Sequence, residues 1–131
     1  MHMAAISGHD YVCSLLRESG AELNTPNSRG RTPLHEAAHY GRTKTVAMLI
    51  QLGANVNAQE RTLSTPLHEA SRHGHLKSVV ALLDTADIEA QDKVHNTPLH
   101  LAAQAGKESV VQALIAKKAP VDARCVDGST P

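Results

Sequence analysis

Nine histidines and two cysteines are among the residues of this 131-residue chain whose side chains could ligate a metal or act as base and nucleophile. Four of the histidines, His2, His35, His68 and His100, recur at steps of 33, 33 and 32 residues. Two others flank a glycine in His73-Gly74-His75, close enough in sequence for weak transition-metal binding. Cys13 follows His9 by four residues, which on a helix would set a thiol beside an imidazole. The elements that carry these residues decide between chemistry and structure. Side chains on successive stacked helical layers stand about 8–10 Å apart. Zinc ligands must each lie ~2.0–2.1 Å from one ion. A row of histidines, one per layer, is therefore a structural feature, and no catalytic residue, metal site or cofactor is expected from it.

The layers are visible as an internal repeat. Thr32-Pro33-Leu34-His35 returns as Thr65-Pro66-Leu67-His68 and as Thr97-Pro98-Leu99-His100, and the chain ends Gly128-Ser129-Thr130-Pro131. Gly8, Gly41, Gly74 and Gly106 fall at one phase of the repeat. Gly20-Ala21-Glu22-Leu23-Asn24 and Gly53-Ala54-Asn55-Val56-Asn57 fall at another. The shorter last step arises where Thr85-Ala86-Asp87-Ile88 lacks that second glycine. This pattern resembles the ankyrin repeat, and the resemblance covers essentially the whole chain. It implies an all-α solenoid of stacked helix-turn-helix units joined by β-hairpin-like loops. The 131 residues are read as one domain: a partial repeat at 1–26, full repeats at 27–59, 60–91 and 92–124, and the start of a fifth at 125–131.

Elementary helix chemistry accounts for the motif. Thr32 is an expected N-cap, and Pro33 suits the first turn, where its missing N–H is not needed. Leu34, Ala37 and Ala38 supply a small apolar face. A second helix from about Thr43 is expected to bury Val46, Leu49 and Ile50 and to end at Gly53. The chain is 41% hydrophobic without a single Trp or Phe, so Ala, Leu, Val and Ile must fill many thin layers. Cys13 is expected in a core phase shared with Ala47, Val80 and Val111. Cys13 and Cys125 lie more than three layers apart, about 30 Å at this layer spacing, and a disulfide requires Cα atoms within about 7 Å. Two cysteines are too few for a disulfide scaffold and suit a reducing compartment, cytoplasm or nucleus. Three positions depart from the family pattern. Leu63 and His95 stand where it has a turn glycine, and Lys118 replaces the glycine before Ala119, so those loops are where regular geometry is least expected.

The resemblance implies binding of another protein through the hairpin tips and the exposed side of each first helix, and no enzymatic activity. The best candidates for that face are Arg29, Arg31, His39, Tyr40, Arg61, Arg72, His73, Lys93, Gln104 and Arg124. Eighteen positions of these phases hold six Lys or Arg, two His and no Asp or Glu, although thirteen cations balance thirteen anions in the whole chain. The expected partner is a protein with an acidic or phosphorylated segment, held by arginines as bidentate donors, with Tyr40 as aromatic anchor. Glu36, Glu69, Glu60 and Asp92 lie close and would blunt the field. The alternative is a substrate-recruiting segment of a larger enzyme, channel or ligase adaptor. The neutral total charge disfavours nucleic acid, and no apolar run reaches the ~18–20 residues of a membrane span. Leu16, Glu22, Leu23 and Asn24 match the pattern that the resemblance links to asparaginyl hydroxylation, making Asn24 a modification candidate. The chain begins inside a first helix and stops within a Thr-Pro motif, which suggests a piece of a longer array able to self-associate end to end.

Overall fold

The computed structural model describes all 131 residues as eight short helices and no strands. They pair as α1 (His2–Ser7) with α2 (Asp10–Glu18), α3 (Pro33–His39) with α4 (Thr43–Gln51), α5 (Pro66–His73) with α6 (Leu76–Leu83), and α7 (Pro98–Gln104) with α8 (Glu108–Ala116). The first helices stack in the order α1, α3, α5, α7 and the second helices in the order α2, α4, α6, α8. The molecule is an all-α solenoid. None of these helices is long enough to be stable alone in water, so stacking must supply the stability. No helix is long and apolar enough to cross a membrane.

The core is a ladder of identical rungs. Leu34, Leu67 and Leu99 from the first helices and Leu49, Leu82 and Leu114 from the second are fully buried, with Ala37, Ala70 and Ala102 allowing close approach between them. Ile50, expected in this core, is only half-buried at its edge. Cys13 is fully buried as expected, but its true counterparts are Val46 and Val79, which are also fully buried. Ala47 and Val80 lie one residue further round the helix, and Val80 is exposed.

The motif histidines lock layer to layer. His35 Nδ1 accepts from the Thr32 N–H at 3.2 Å and from the Thr32 hydroxyl at 2.9 Å, while its Nε2–H donates to the Ser64 carbonyl of the next hairpin at 3.0 Å. His68 repeats this with Thr65 and the Asn96 carbonyl, and His100 with Thr97 and the Ser129 carbonyl. This arrangement requires a neutral ring with its proton on Nε2. Burial accordingly pushes the His35 and His68 imidazoles below their ordinary pKa, against the upward pull of the carbonyl each one donates to.

Between helices the chain forms tight hairpins. Asn27, Glu60, Asp92 and Cys125 each donate a backbone N–H across the turn to a carbonyl four residues on. One backbone bond then ties each tip to the next: Arg61 to Arg29, Lys93 to Thr62 and Val126 to Val94. The departures from the glycine pattern leave this geometry intact. Leu63, His95 and Lys118 adopt φ of 61°, 63° and 64°, the left-handed conformation of the glycines they replace. At the other loop phase glycine has a second reason. A Cβ on Gly41 would stand 2.5 Å from the His75 ring, which lies over it and donates to the His39 carbonyl.

Candidate functional site

Hairpin tips and the exposed ends of the first helices form one wall, and two adjacent layers of it differ. Moving one repeat along the chain carries Arg31 to Ser64, His39 to Arg72, Glu69 to Leu101 and His73 to Ala105. The same backbone therefore presents two different chemistries.

In the layer between α3 and α5, polar side chains satisfy one another. The Arg31 guanidinium reaches Glu69 Oε2 at 3.0 Å and Glu36 at 3.9 Å. His39 Nδ1 lies 2.7 Å from the same Glu69 oxygen, and the Ser64 hydroxyl donates to the other at 3.5 Å. Glu36 is buried and takes a hydrogen bond from the Asn27 amide at 2.9 Å. Burial opposes ionisation of Glu69, yet the His39 hydrogen bond and the Arg31 charge outweigh it and hold the carboxyl below its ordinary pKa. Arg31 and His39, expected as contacts for an acidic partner, are thus already committed to a buried acid. Glu69, read from the sequence only as a nearby charge, is the centre of this layer.

In the layer between α5 and α7 those partners are missing. Leu101 occupies the Glu69 phase and is buried, and Ala105 replaces the ring-bearing Tyr40 and His73. The removed volume appears as an open cleft of about 550 Å³ lined by Thr62, Arg72, Asp92, Lys93, Val94, Asn96, Leu101, Gln104 and Ala105. Arg72, Lys93 and Gln104, three of the expected contacts, converge here. Neither Arg72 nor Lys93 takes part in any of the ion pairs of the molecule. Asp92 is buried and turned into its own hairpin: Oδ1 accepts from the Val94 and Asn96 backbone at 3.0 and 2.9 Å, and Oδ2 from the Asn96 amide. The cleft therefore has cations at its rim, an apolar floor of Leu101 and Ala105, and an exposed Val94 at its edge. Its signal, Leu101 after His100 where the two preceding repeats have Glu36 and Glu69, was present in the sequence.

The remaining expected contacts are dispersed. Arg29 and Arg61 are exposed on neighbouring hairpin tips, and Arg124 is exposed near the last hairpin. Tyr40 is 46% exposed and packs edge-on to His39 at 4.8 Å between ring centres. His73 is exposed and meets His39 with 4.2 Å between ring centres, whereas His75, the neighbour suggested by sequence, is 6.1 Å away and turned to the His39 carbonyl. Asn24 is exposed, but its side-chain oxygen accepts the Asn55 N–H at 2.8 Å; Asn57 does the same for Asp87. These asparagines join successive loops instead of closing their own turn.

Comparison with known families matches residues 1–92 to "Ankyrin repeats (3 copies)" and residues 95–126 to "Ankyrin repeat". Comparison with curated proteins finds no match. Repeats of this kind are in general modules for protein–protein interaction. Their expected signatures, the Thr-Pro-Leu-His cap and the stacked helix pairs, are all in place, and the chain belongs to the ankyrin repeat family.

Proposed function

We propose that the chain binds a protein partner through the concave cleft between α5 and α7, and that the bound segment carries an acidic or phosphorylated residue beside an apolar one. The observation that supports this reading is a pair of cations, Arg72 and Lys93, without acidic partners of their own, set over an apolar floor. Arg72 offers a planar fork suited to carboxylate or phosphate oxygens, and Lys93 adds a mobile point charge. Leu101, Ala105 and Val94 provide the area that a small hydrophobic anchor would bury. The role is binding without catalysis, in a compartment that keeps Cys13 and Cys125 reduced, cytoplasm or nucleus. Arg29, Arg61 and Arg124 steer the partner and contribute little once it is seated, because exposed charges act on association rate more than on residence.

Peptide arrays test this directly. Sequences pairing an aliphatic residue with phosphoserine or Glu should bind the intact chain, and their uncharged counterparts should not. The combined Arg72→Glu and Lys93→Glu variant should lose binding by 100-fold or more, on the order of the ~3 kcal/mol expected for two charge-assisted contacts. Ala105→Tyr, which restores the bulk found at Tyr40, should block the cleft without altering charge. Equal binding by all three proteins would remove the cleft from consideration. Retention by nucleic acid with a steep loss in salt would point instead to backbone-phosphate binding.

A further inference from the structure

We infer that His39, Glu69 and His73 form a binding site for a divalent transition ion such as zinc, on the wall of the solenoid one layer away from the cleft. The juxtaposition that carries this is geometric. Glu69 and His73 stand four residues apart on α5 and so share one helix face, and His39 comes from the last turn of α3, stacked against it. One ligand atom from each of the three lies within 4.8 Å of the other two. His39 Nδ1 and Glu69 Oε2 are 2.7 Å apart. Two ligands bound tetrahedrally at ~2.0–2.1 Å stand roughly 3.3–3.4 Å from each other. Inserting an ion between this pair needs a shift of well under an ångström, and His73, whose ligand atom lies within 4.8 Å of both, must close by up to about 1.4 Å.

The donor set selects the ion class. Two imidazoles and one carboxylate suit zinc, copper or nickel, whereas magnesium and calcium demand shells of oxygen. Three protein ligands leave a fourth tetrahedral position for water or a partner's side chain. The Glu69 carboxylate is only 4% exposed and is braced by the Ser64 hydroxyl, so its position is set before any ion arrives.

Arg31 is the competitor. Its guanidinium now occupies Glu69 Oε2, and an ion there would repel it. Glu36, already 3.9 Å from the other guanidinium nitrogen, is the partner to which it would turn. The ion and Arg31 therefore compete for one carboxylate oxygen, and this competition distinguishes a true site from a chance cluster of histidines.

The test is titration of the whole chain with zinc by calorimetry, and with cobalt(II) for the visible bands of tetrahedral coordination. One equivalent should bind. His39→Gln and His73→Gln should each weaken it by at least ~10-fold, the scale on which even residues supporting a ligand act. His9→Gln and His95→Gln should leave it unchanged, and Arg31→Gln should tighten it. Absence of saturable binding overturns the proposal, as does one-equivalent binding that survives both His39→Gln and His73→Gln. Helical circular dichroism of each variant precedes the titration. Because His73 is exposed, His73→Gln keeps the test decisive even if the half-buried His39 variant is poorly folded.

Discussion

The layer between α3 and α5 and the layer between α5 and α7 share a backbone, a buried motif histidine and a hairpin-to-hairpin hydrogen bond, yet one is closed and the other open. In the first, Arg31, His39 and Glu36 converge with Glu69 and are taken up by one another, leaving only Arg29 and Arg61 free at the hairpin tips. In the second, Ser64 and Leu101 stand in the places of Arg31 and Glu69, so Arg72 and Lys93 face a cleft whose one carboxylate, Asp92, is bonded into its own hairpin and pairs with neither. Counting cations along the wall would score both layers as binding surface. Whether a cation is available depends on the acid opposite it, and that acid is supplied by the next repeat.

Converting one layer towards the other should have the largest effect. Glu69→Leu copies the open layer into the closed one but strands Arg31 and His39, and should lower stability by about 3 kcal/mol, as removal of one partner of a buried ion pair does. Adding Arg31→Ser should recover more than half of that loss. Chemical denaturation of the two single variants and the double variant gives the coupling directly. Simple additivity would mean that the closed layer is not held by this pair.

Acid should expose what the two layers share and where they differ. His35 and His68 are held below their ordinary pKa by burial. The unfolded chain therefore takes up protons first as the pH falls below 6.5, the ordinary value for His. Their stabilising contribution is complete above that value and is lost as the pH falls towards their folded pKa, by up to about 1.4 kcal/mol per pH unit for each. Glu69, whose pKa is also depressed, adds a second loss at lower pH, again complete above its ordinary value and gone below its folded one. Denaturation midpoints measured from pH 7.5 down to about 3 should show the first loss in every variant and a second loss below 4.5 that shrinks when Glu69 is replaced, the depressed Glu60 and Asp127 carboxyls keeping the remainder.

Smaller gains are expected at the strained and unsatisfied positions beside the cleft. Leu63 and His95 carry side chains at left-handed φ in the two hairpins that frame it. Replacing either with glycine should stabilise the chain by about 1 kcal/mol, a change absent at the Gly30 and Gly128 turns. Ser71, fully buried in α5, has a hydroxyl without a hydrogen-bond partner. Ser71→Ala, which copies Ala38 and Ala103, should gain about 0.5–1 kcal/mol. Thermal melts resolve both, and a loss at Ser71 would mean that its hydroxyl is satisfied in solution.

Much of this architecture could be read in advance because it is set by local rules repeated at a fixed phase. Thr32, Pro33 and His35 specify a capped helix start wherever they recur, and Leu34 and Val46 specify the faces that must meet. Reading one phase at a time was also the source of error. It placed Cys13 beside Ala47 and Val80 in place of Val46 and Val79, and it paired His73 with its sequence neighbour His75 when its ring meets His39, 34 positions earlier.

The amino-acid sequence by itself determined the repeat, the helix starts, the apolar ladder and the class of protein, because each follows from residue type and spacing within one unit. Tertiary structure decided which charges are free, which histidines meet and where the wall opens. Those outcomes depend on side chains contributed by two successive units, and the electrostatic energy of a cation is settled by the nearest anion in space and not by its place in the repeat.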